Sequence, residues 1–453
     1  VKKVKIGISA VLALIGVYIL GDAWDVVPGL FTTKPPLSVP EPYPQVSEPH
    51  VTNPKIPNFA TLPELDSAQV RTIMEEFRTD ERLSGVSSYA VIDPLSGKTV
   101  ASHNEAKSLR PASTLKYVTA VAALTTLGPN ATLDTSVTRV GRDVYLVGGG
   151  DVMLAAGDGQ PSAVAGRSGL ADMARQVAQK LQKAKVSEIT VHVDSSRYAQ
   201  PVYHPSVVAE ENTEFVMPLY PVAVDRGRVD SEFVEQPDVR ALDAFAERLR
   251  EQGISVTVGG RKVAPKDSQE LVRVHSAPVR ELVDVMMVES DNTLAEVLGH
   301  EVAIALGESA DFSGASAAVK GALRSADFDV TGLVIDDNSG LSEHNRVPVR
   351  LLGDILRRVW ACDGCDVNAL GAALPVGSLQ GTLKDRFWDS PAQGLVRAKT
   401  GTLSTTTALA GFVSTRSGHP LIFVSIVTDH KENDQLTVRA VIDDALAKLV
   451  SQV

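Results

Sequence analysis

Hydrophobic and polar positions alternate with several distinct periods along the chain. Residues Ile6 to Leu20 are almost wholly apolar and follow Lys2, Lys3 and Lys5, with Asp22 the first acid. A basic start followed by an apolar run is the pattern of an export signal. The run is marginal for spanning a bilayer, and an A-x-A cleavage pattern is lacking. Residues 1–24 are therefore expected to be a signal peptide or membrane anchor, with the anchor favoured. Residues 25–63 are rich in proline and carry neither helical nor alternating periodicity. They read as an extended linker. From Leu65 the pattern changes. In LDSAQVRTIMEEF, Val70, Ile73, Met74 and Phe77 recur at helical spacing.

Further along, VSSYAVIDPLSGKTVASHN predicts two strands around a turn at residues 93–97. STLKYVTAVAALTTLG predicts an apolar helix ending at Gly128. Between about 130 and 275 the pattern predicts short strands at 138–140, 143–147 and 188–193, with one long helix at 169–184. Helical periodicity dominates 279–307. GLVRAKTGTL, TALAGFVST and LIFVSIVTD predict an antiparallel meander, followed by a helix over 435–449.

Composition narrows the classes. The 453 residues are 44% hydrophobic and 22% charged, which supports a folded core and excludes wholesale disorder. A net charge of −11 argues against a nucleic-acid partner, because phosphate contacts need a basic excess. Two cysteines, Cys362 and Cys365, cannot staple a scaffold or complete a zinc site. In an exported chain a local disulfide is the favoured reading. No H-E-x-x-H or G-x-S-x-G pattern occurs, so a metallopeptidase and an α/β-hydrolase are disfavoured. No metal or cofactor is expected. The glycines at 148–150 lack a following Lys-Ser/Thr pair and read as a tight turn rather than a phosphate loop.

Three short motifs carry candidate chemistry. Ser113 opens a predicted helix and Lys116 lies three residues on, on the same face. A serine becomes a nucleophile when a base adjoins it, and a lysine serves if its pKa is lowered. Ser290-Asp291-Asn292 lies between two helical stretches, where a hydroxyl and a carboxamide can face one cleft. Lys399-Thr400-Gly401, followed by Thr402, lies in a predicted strand. The lysine and hydroxyls can bind a carboxylate, and the glycine permits close backbone approach. Each motif alone has a mundane reading as a helix cap, a polar turn or an edge strand. Three together, in this order and in these contexts, do not. Two lysines near one site are also expected to depress each other's pKa.

The trio is shared by penicillin-binding proteins and class A β-lactamases. The chain from about Leu83 onward resembles low-molecular-mass class C penicillin-binding proteins of the D-alanyl-D-alanine carboxypeptidase/endopeptidase kind. LRPASTLKYVTAVAAL, YLVGGGDVML, IDDNSGLSEHNRV and LPVGSLQGTLKDRF are similar to segments of that group. Ser113 and Ser290 are 177 residues apart, too far for a class A β-lactamase. The extra length resembles the group's inserted accessory region, in shortened form. The resemblance implies an α/β fold: a transpeptidase-like domain, antiparallel sheet between helices, over 64–135 and 276–453, with an inserted accessory domain at 136–275.

It also implies roles. Ser113 would attack the penultimate D-Ala carbonyl, Lys116 would take its proton, and Ser290 would relay a proton to the leaving amine. Asn292 would bind the acyl-side amide, Lys399 would add positive potential, and Thr400, Gly401 and Thr402 would line the carboxylate site. Backbone N–H groups of Ser113 and Thr402 would form the oxyanion hole. Asp337 and His344 read as loop structure at least as readily as catalysis. The implied partners are peptidoglycan stem peptides, β-lactams as covalent inhibitors, and the cytoplasmic membrane through the N-terminal segment. The implied location is exported. The competing readings are an exported β-lactamase or esterase and a non-catalytic wall scaffold. The motifs do not separate carboxypeptidase from endopeptidase action.

Overall fold

A computed structural model describes residues 2–24, 27, 29 and 62–453. The chain divides into two compact units, Val1–Pro57 and Asn58–Val453. In the first, the apolar run lies in a 22-residue helix, Lys2–Ala23. Among the described residues no helix is long and apolar enough to cross a membrane. The linker expected over 25–63 lies outside the described residues, apart from 27, 29, 62 and 63.

The second unit is built around an antiparallel sheet in the order Val396–Leu403, Thr406–Ser414, Pro420–Thr428, Val86–Asp93, Lys98–His103. Both faces are buried, and side-chain alternation sends different residues to each. Tyr89, Val91, Leu409, Phe423 and Val427 face one layer. That layer is the helix Ser67–Thr79 packed with the C-terminal helix Gln435–Gln452. Asp66 caps the first of these, its carboxylate accepting from the N–H groups of Ala68 and Gln69. Val70, Ile73, Met74 and Phe77 are buried, as their spacing predicts. Ala90, Ile92, Ala408, Ala410, Ile422, Val424 and Ile426 face a helical layer that includes Lys116–Thr126, Asn292–Leu306, Phe312–Ser325 and Val349–Ala361. All nine residues of the central strand Pro420–Thr428 are buried.

A second five-stranded sheet runs Ser255–Arg261, Glu188–Asp194, Asp143–Val147, Asp134–Val140, Gln269–His275. The first three strands are parallel and the last two antiparallel. Two helices cover one face, Leu170–Lys183 and Pro237–Glu251. The pattern predicts only the first of these. The second has the same helical period, with Leu242, Phe245 and Leu249 buried and Pro237 in its first turn. Strand 255–261 carries little signal because it contains two glycines and its side chains are mostly exposed. The strand of this sheet that comes first in the chain begins at Asp134, ahead of the expected 135/136 boundary. Val152, Met153, Tyr198, Met217, Leu219 and Ala223 pack into the same apolar cluster as the helix that follows Ser113. Residues 148–150 turn the chain between Asp143–Val147 and Asp151–Leu154. Cys362 and Cys365 are disulfide-bonded.

Candidate active site

Three elements bring the three motifs together. Ser113 lies in a 3₁₀ turn, Ala112–Leu115, that leads into the α-helix Lys116–Thr126. The expected helix start is thus a tighter turn, entered through Ala112 at φ 47°. Lys116 Nζ donates to Ser113 Oγ at 3.1 Å. Ser290 occupies the connection between Val279–Val288 and Asn292–Leu306 with φ 60°. Asp291 caps the second helix, accepting from Leu294 N at 2.9 Å, and its other oxygen pairs with Arg226. Asn292 thereby enters the first helical turn with its Oδ1 2.6 Å from Lys116 Nζ.

Lys399 stands on the strand Val396–Leu403. Its Nζ donates to Ser290 Oγ at 2.9 Å and to the Thr400 carbonyl at 2.8 Å. Each lysine therefore serves a different serine. Gly401 faces the turn that carries Ser113. A Cβ there would lie 2.6 Å from the Pro111 carbonyl oxygen and 3.1 Å from Ala112 Cβ. The glycine lets the strand approach the turn that carries Ser113, where the sequence suggests room for substrate backbone.

Both lysines are fully buried. Burial disfavours the ammonium form and brings Lys116 down to about 8, against the opposing pull of Asp337, Asp291 and Glu296. Lys399 is held well below the ordinary lysine range, first by burial and then by repulsion from Lys116. Mutual repulsion is thus the smaller effect, and it acts on Lys399. The acceptors around Lys116 are all neutral: Ser113 Oγ, Asn292 Oδ1 and, at 2.7 Å, the Ser339 carbonyl.

Ser113, Ser290, Thr400 and Thr402 line an open cleft of about 280 Å³ with Thr382, Arg386, Thr407 and Arg439. Asn292 is not among the residues that line it, and its Nδ2 donates to the Phe215 carbonyl at 2.9 Å. Sequence reasoning assigns no role to Ser339, Thr382, Arg386, Thr407 or Arg439. Thr382 Oγ1 accepts from Thr400 Oγ1 at 2.8 Å, and Arg386 pairs with Asp443 of the C-terminal helix. Thr382 and Arg386 fall within LPVGSLQGTLKDRF, whose family likeness is the signal that could have found them. Arg439 lies four residues before Asp443, a helical spacing. Asp337 does structural work in its loop, accepting from Ser339 Oγ, three backbone N–H groups and Asn345 Nδ2. Among the described residues no cluster of His, Cys, Asp and Glu could hold a metal.

A buried lysine on a serine hydroxyl, beside a second lysine that reaches another serine from an antiparallel sheet between helices, defines a serine hydrolase of the penicillin-recognising fold. A profile of the D-Ala-D-Ala carboxypeptidase 3 (S13) family matches residues 70–237 and 231–449, and the chain belongs to that family. It is a D-Ala-D-Ala carboxypeptidase, a hydrolase of the low-molecular-mass penicillin-binding class. A carboxypeptidase of Mycobacterium tuberculosis is 33% identical over 355 residues, 76% of either chain. The carboxypeptidase DacB of Mycolicibacterium smegmatis is 36% identical over 358 residues, covering 76% of this chain and 75% of the relative. Penicillin binding protein 4 of Haemophilus influenzae shares the fold, with a TM-score of 0.67 at 19% identity over 84% of this chain and 99% of that one.

Proposed function

We propose that Ser113 is the nucleophile and Lys116 its general base in hydrolysis of peptidoglycan stem peptides ending in D-Ala-D-Ala. The observation that carries this reading is the 3.1 Å contact between Lys116 Nζ and Ser113 Oγ, made by a lysine that titrates at about 8. A base near neutrality is the one that can take a serine proton and later return it.

Neutral Lys116 accepts the Ser113 proton as Oγ bonds to the penultimate carbonyl carbon. The C–N bond to the last D-Ala breaks as Ser290 gives its proton to the departing amine. Ser290 takes up in its place the proton that Lys116 removed from Ser113, which leaves Lys116 neutral and Ser290 a hydroxyl. Water then cleaves the ester, which frees the shortened peptide and restores the Ser113 hydroxyl. Lys399, hydrogen-bonded to Ser290 Oγ, orients that hydroxyl in the proton relay. Thr400 and Thr402 line the cleft where the terminal carboxylate would rest, and Gly401 shapes their strand. The Ser113 and Thr402 N–H groups would hold the oxyanion. Asn292 orients Lys116, and contact with an acyl-side amide requires its Nδ2 to leave Phe215.

We further infer that the sheet spanning 134–275 is an accessory region set into the transpeptidase-like part; its own apolar cluster supports this. Export is supported by the lysine-flanked apolar helix Lys2–Ala23, as signal or anchor, and by the cell-wall chemistry of the family. β-Lactams would acylate Ser113 in place of the peptide.

Intact mass after incubation with benzylpenicillin, beside a Ser113→Ala control, tests the reading. The expected result is one penicilloyl adduct on the native chain and none on the variant. A native chain that gains no adduct and releases no D-Ala from a stem peptide would overturn it. Offering a cross-linked dimer in parallel reads endopeptidase action.

A further inference from the structure

Behind the base lies a buried acid that takes no part in the acyl-transfer steps. Glu296 is 3% exposed and sits in the second turn of Asn292–Leu306. Its Oε1 accepts from Asn338 N at 2.9 Å and its Oε2 from Asn338 Nδ2 at 3.2 Å. Asn338 is completely buried, and its carbonyl accepts from Thr119 Oγ1 at 2.6 Å. One residue on, the Ser339 carbonyl receives Lys116 Nζ. The helix is also shaped around Asn338 at a second point. A Cβ on Gly299, three residues beyond Glu296, would lie 2.5 Å from Asn338 Cγ.

We propose that Glu296 is a positioning residue for acylation: through Asn338 it holds the Ser339 carbonyl on Lys116 Nζ, and so fixes the base's orientation and proton affinity. This rests on Lys116 being the base. Burial, helped by Asp337, lifts the Glu296 carboxyl to about 8, while the Asn338 bonds and Lys116 pull the other way. Lys116 is faced by Asp337 from the loop, by Asp291 and Glu296 from the helix and its cap, and by Lys399 from the strand. Glu296 meets Asp337 and Lys116, shares a small cavity with His204, and has His300 one turn along bonded to its carbonyl. The Ser339 carbonyl favours the ammonium form at every pH, and Glu296 adds to this only where it is ionised, above about pH 8. Losing the hold on that carbonyl moves the Lys116 titration downward.

The test is acylation of the full chain by benzylpenicillin, followed by intact mass across pH. Glu296→Ala should slow acylation about tenfold or more and leave the apparent binding constant within about twofold. Its acid limb should fall by about half a pH unit or more. Glu296→Gln keeps the length and the acceptor for Asn338 N; with the Asn338 amide turned over, its unpartnered Oδ1 accepts from the new carboxamide N–H, and the rate should recover to within about threefold of the native one. A folded Glu296→Ala chain with native rate and an unmoved limb would reduce Glu296 to a structural group and overturn the assignment. So would a Glu296→Gln chain as slow as the alanine variant. If Glu296→Ala does not fold, Asn338→Ala reads the same link. Slowing of about threefold or more with a lowered limb supports it, and native behaviour overturns it. A native chain that is never acylated would instead overturn the acyl-serine reading, so the two failures are distinguishable.

Discussion

The two five-stranded sheets both sit beside fully buried ionisable side chains, and they treat that charge in opposite ways. In the sheet spanning 134–275, Asp238 is wholly buried and is gripped by Arg261, Nε to Oδ2 at 2.7 Å and Nη2 to Oδ1 at 2.8 Å. Ser195 Oγ adds a third donor at 2.6 Å. Beside the other sheet, Lys116 and Lys399 are equally buried but meet hydroxyl, carboxamide and carbonyl oxygens. A buried charge with an opposite partner recovers much of its lost hydration. A buried charge with neutral acceptors does not, and its pKa moves toward the neutral form. The first arrangement holds a fold together. The second leaves a lysine able to exchange a proton near neutral pH.

Removing Lys116 should have the largest effect. Lys116→Met should cost about 10²–10⁴-fold in acylation rate, read by intact mass, with the fold retained. A variant acylated at the native rate would break the contrast, since the buried lysine would then be structural. Lys399→Ala should cost about 10²–10³-fold, because the donor that orients Ser290 Oγ is lost. On the other side, Arg261→Ala strands the buried Asp238 carboxylate. Denaturant unfolding should show a loss of about 3 kcal/mol, with acylation unchanged. An unchanged midpoint would mean that Ser195 alone satisfies Asp238.

The pH profile sharpens the comparison further. Lys116 must be neutral to accept a proton, so kcat/KM should fall about tenfold per unit below about pH 8. A profile flat from pH 9 to 6 would remove Lys116 from the base role. The smallest effect is expected at the disulfide, which closes a loop between residues only three apart. Replacing Cys362 and Cys365 by serine should lower stability by at most about 2 kcal/mol and leave acylation as it was.

Much of the fold and of the site is legible in the order of residues. The helix 67–79 is written in the spacing of Val70, Ile73, Met74 and Phe77, and its cap in Asp66. The meander is written in three apolar runs with short turns, observed at Val396–Leu403, Thr406–Ser414 and Pro420–Thr428. Ser113, Lys116, Ser290 and Lys399 can be picked out because each motif comprises neighbours a few residues apart. The helix 237–251 obeys the same local rules, and its signal is present in Leu242, Phe245 and Leu249. Strand 255–261 is weaker, since glycines and exposed positions leave no clean alternation.

Neighbouring residues suffice to specify the local elements, the order of the three motifs and the residue types available for acyl transfer. Periodicity, caps and turns depend on adjacent residues, so they survive in one dimension. Folding in three dimensions settles which lysine serves which serine, that Ser339 offers its carbonyl to Lys116, and that Arg386 and Arg439 reach the cleft. It also settles that burial, more than repulsion between the lysines, lowers their proton affinity. Desolvation is a sum over every atom that excludes water from a side chain. For Lys116 those atoms come from segments as far apart in sequence as Asn292 and Ser339, which only the folded chain brings together.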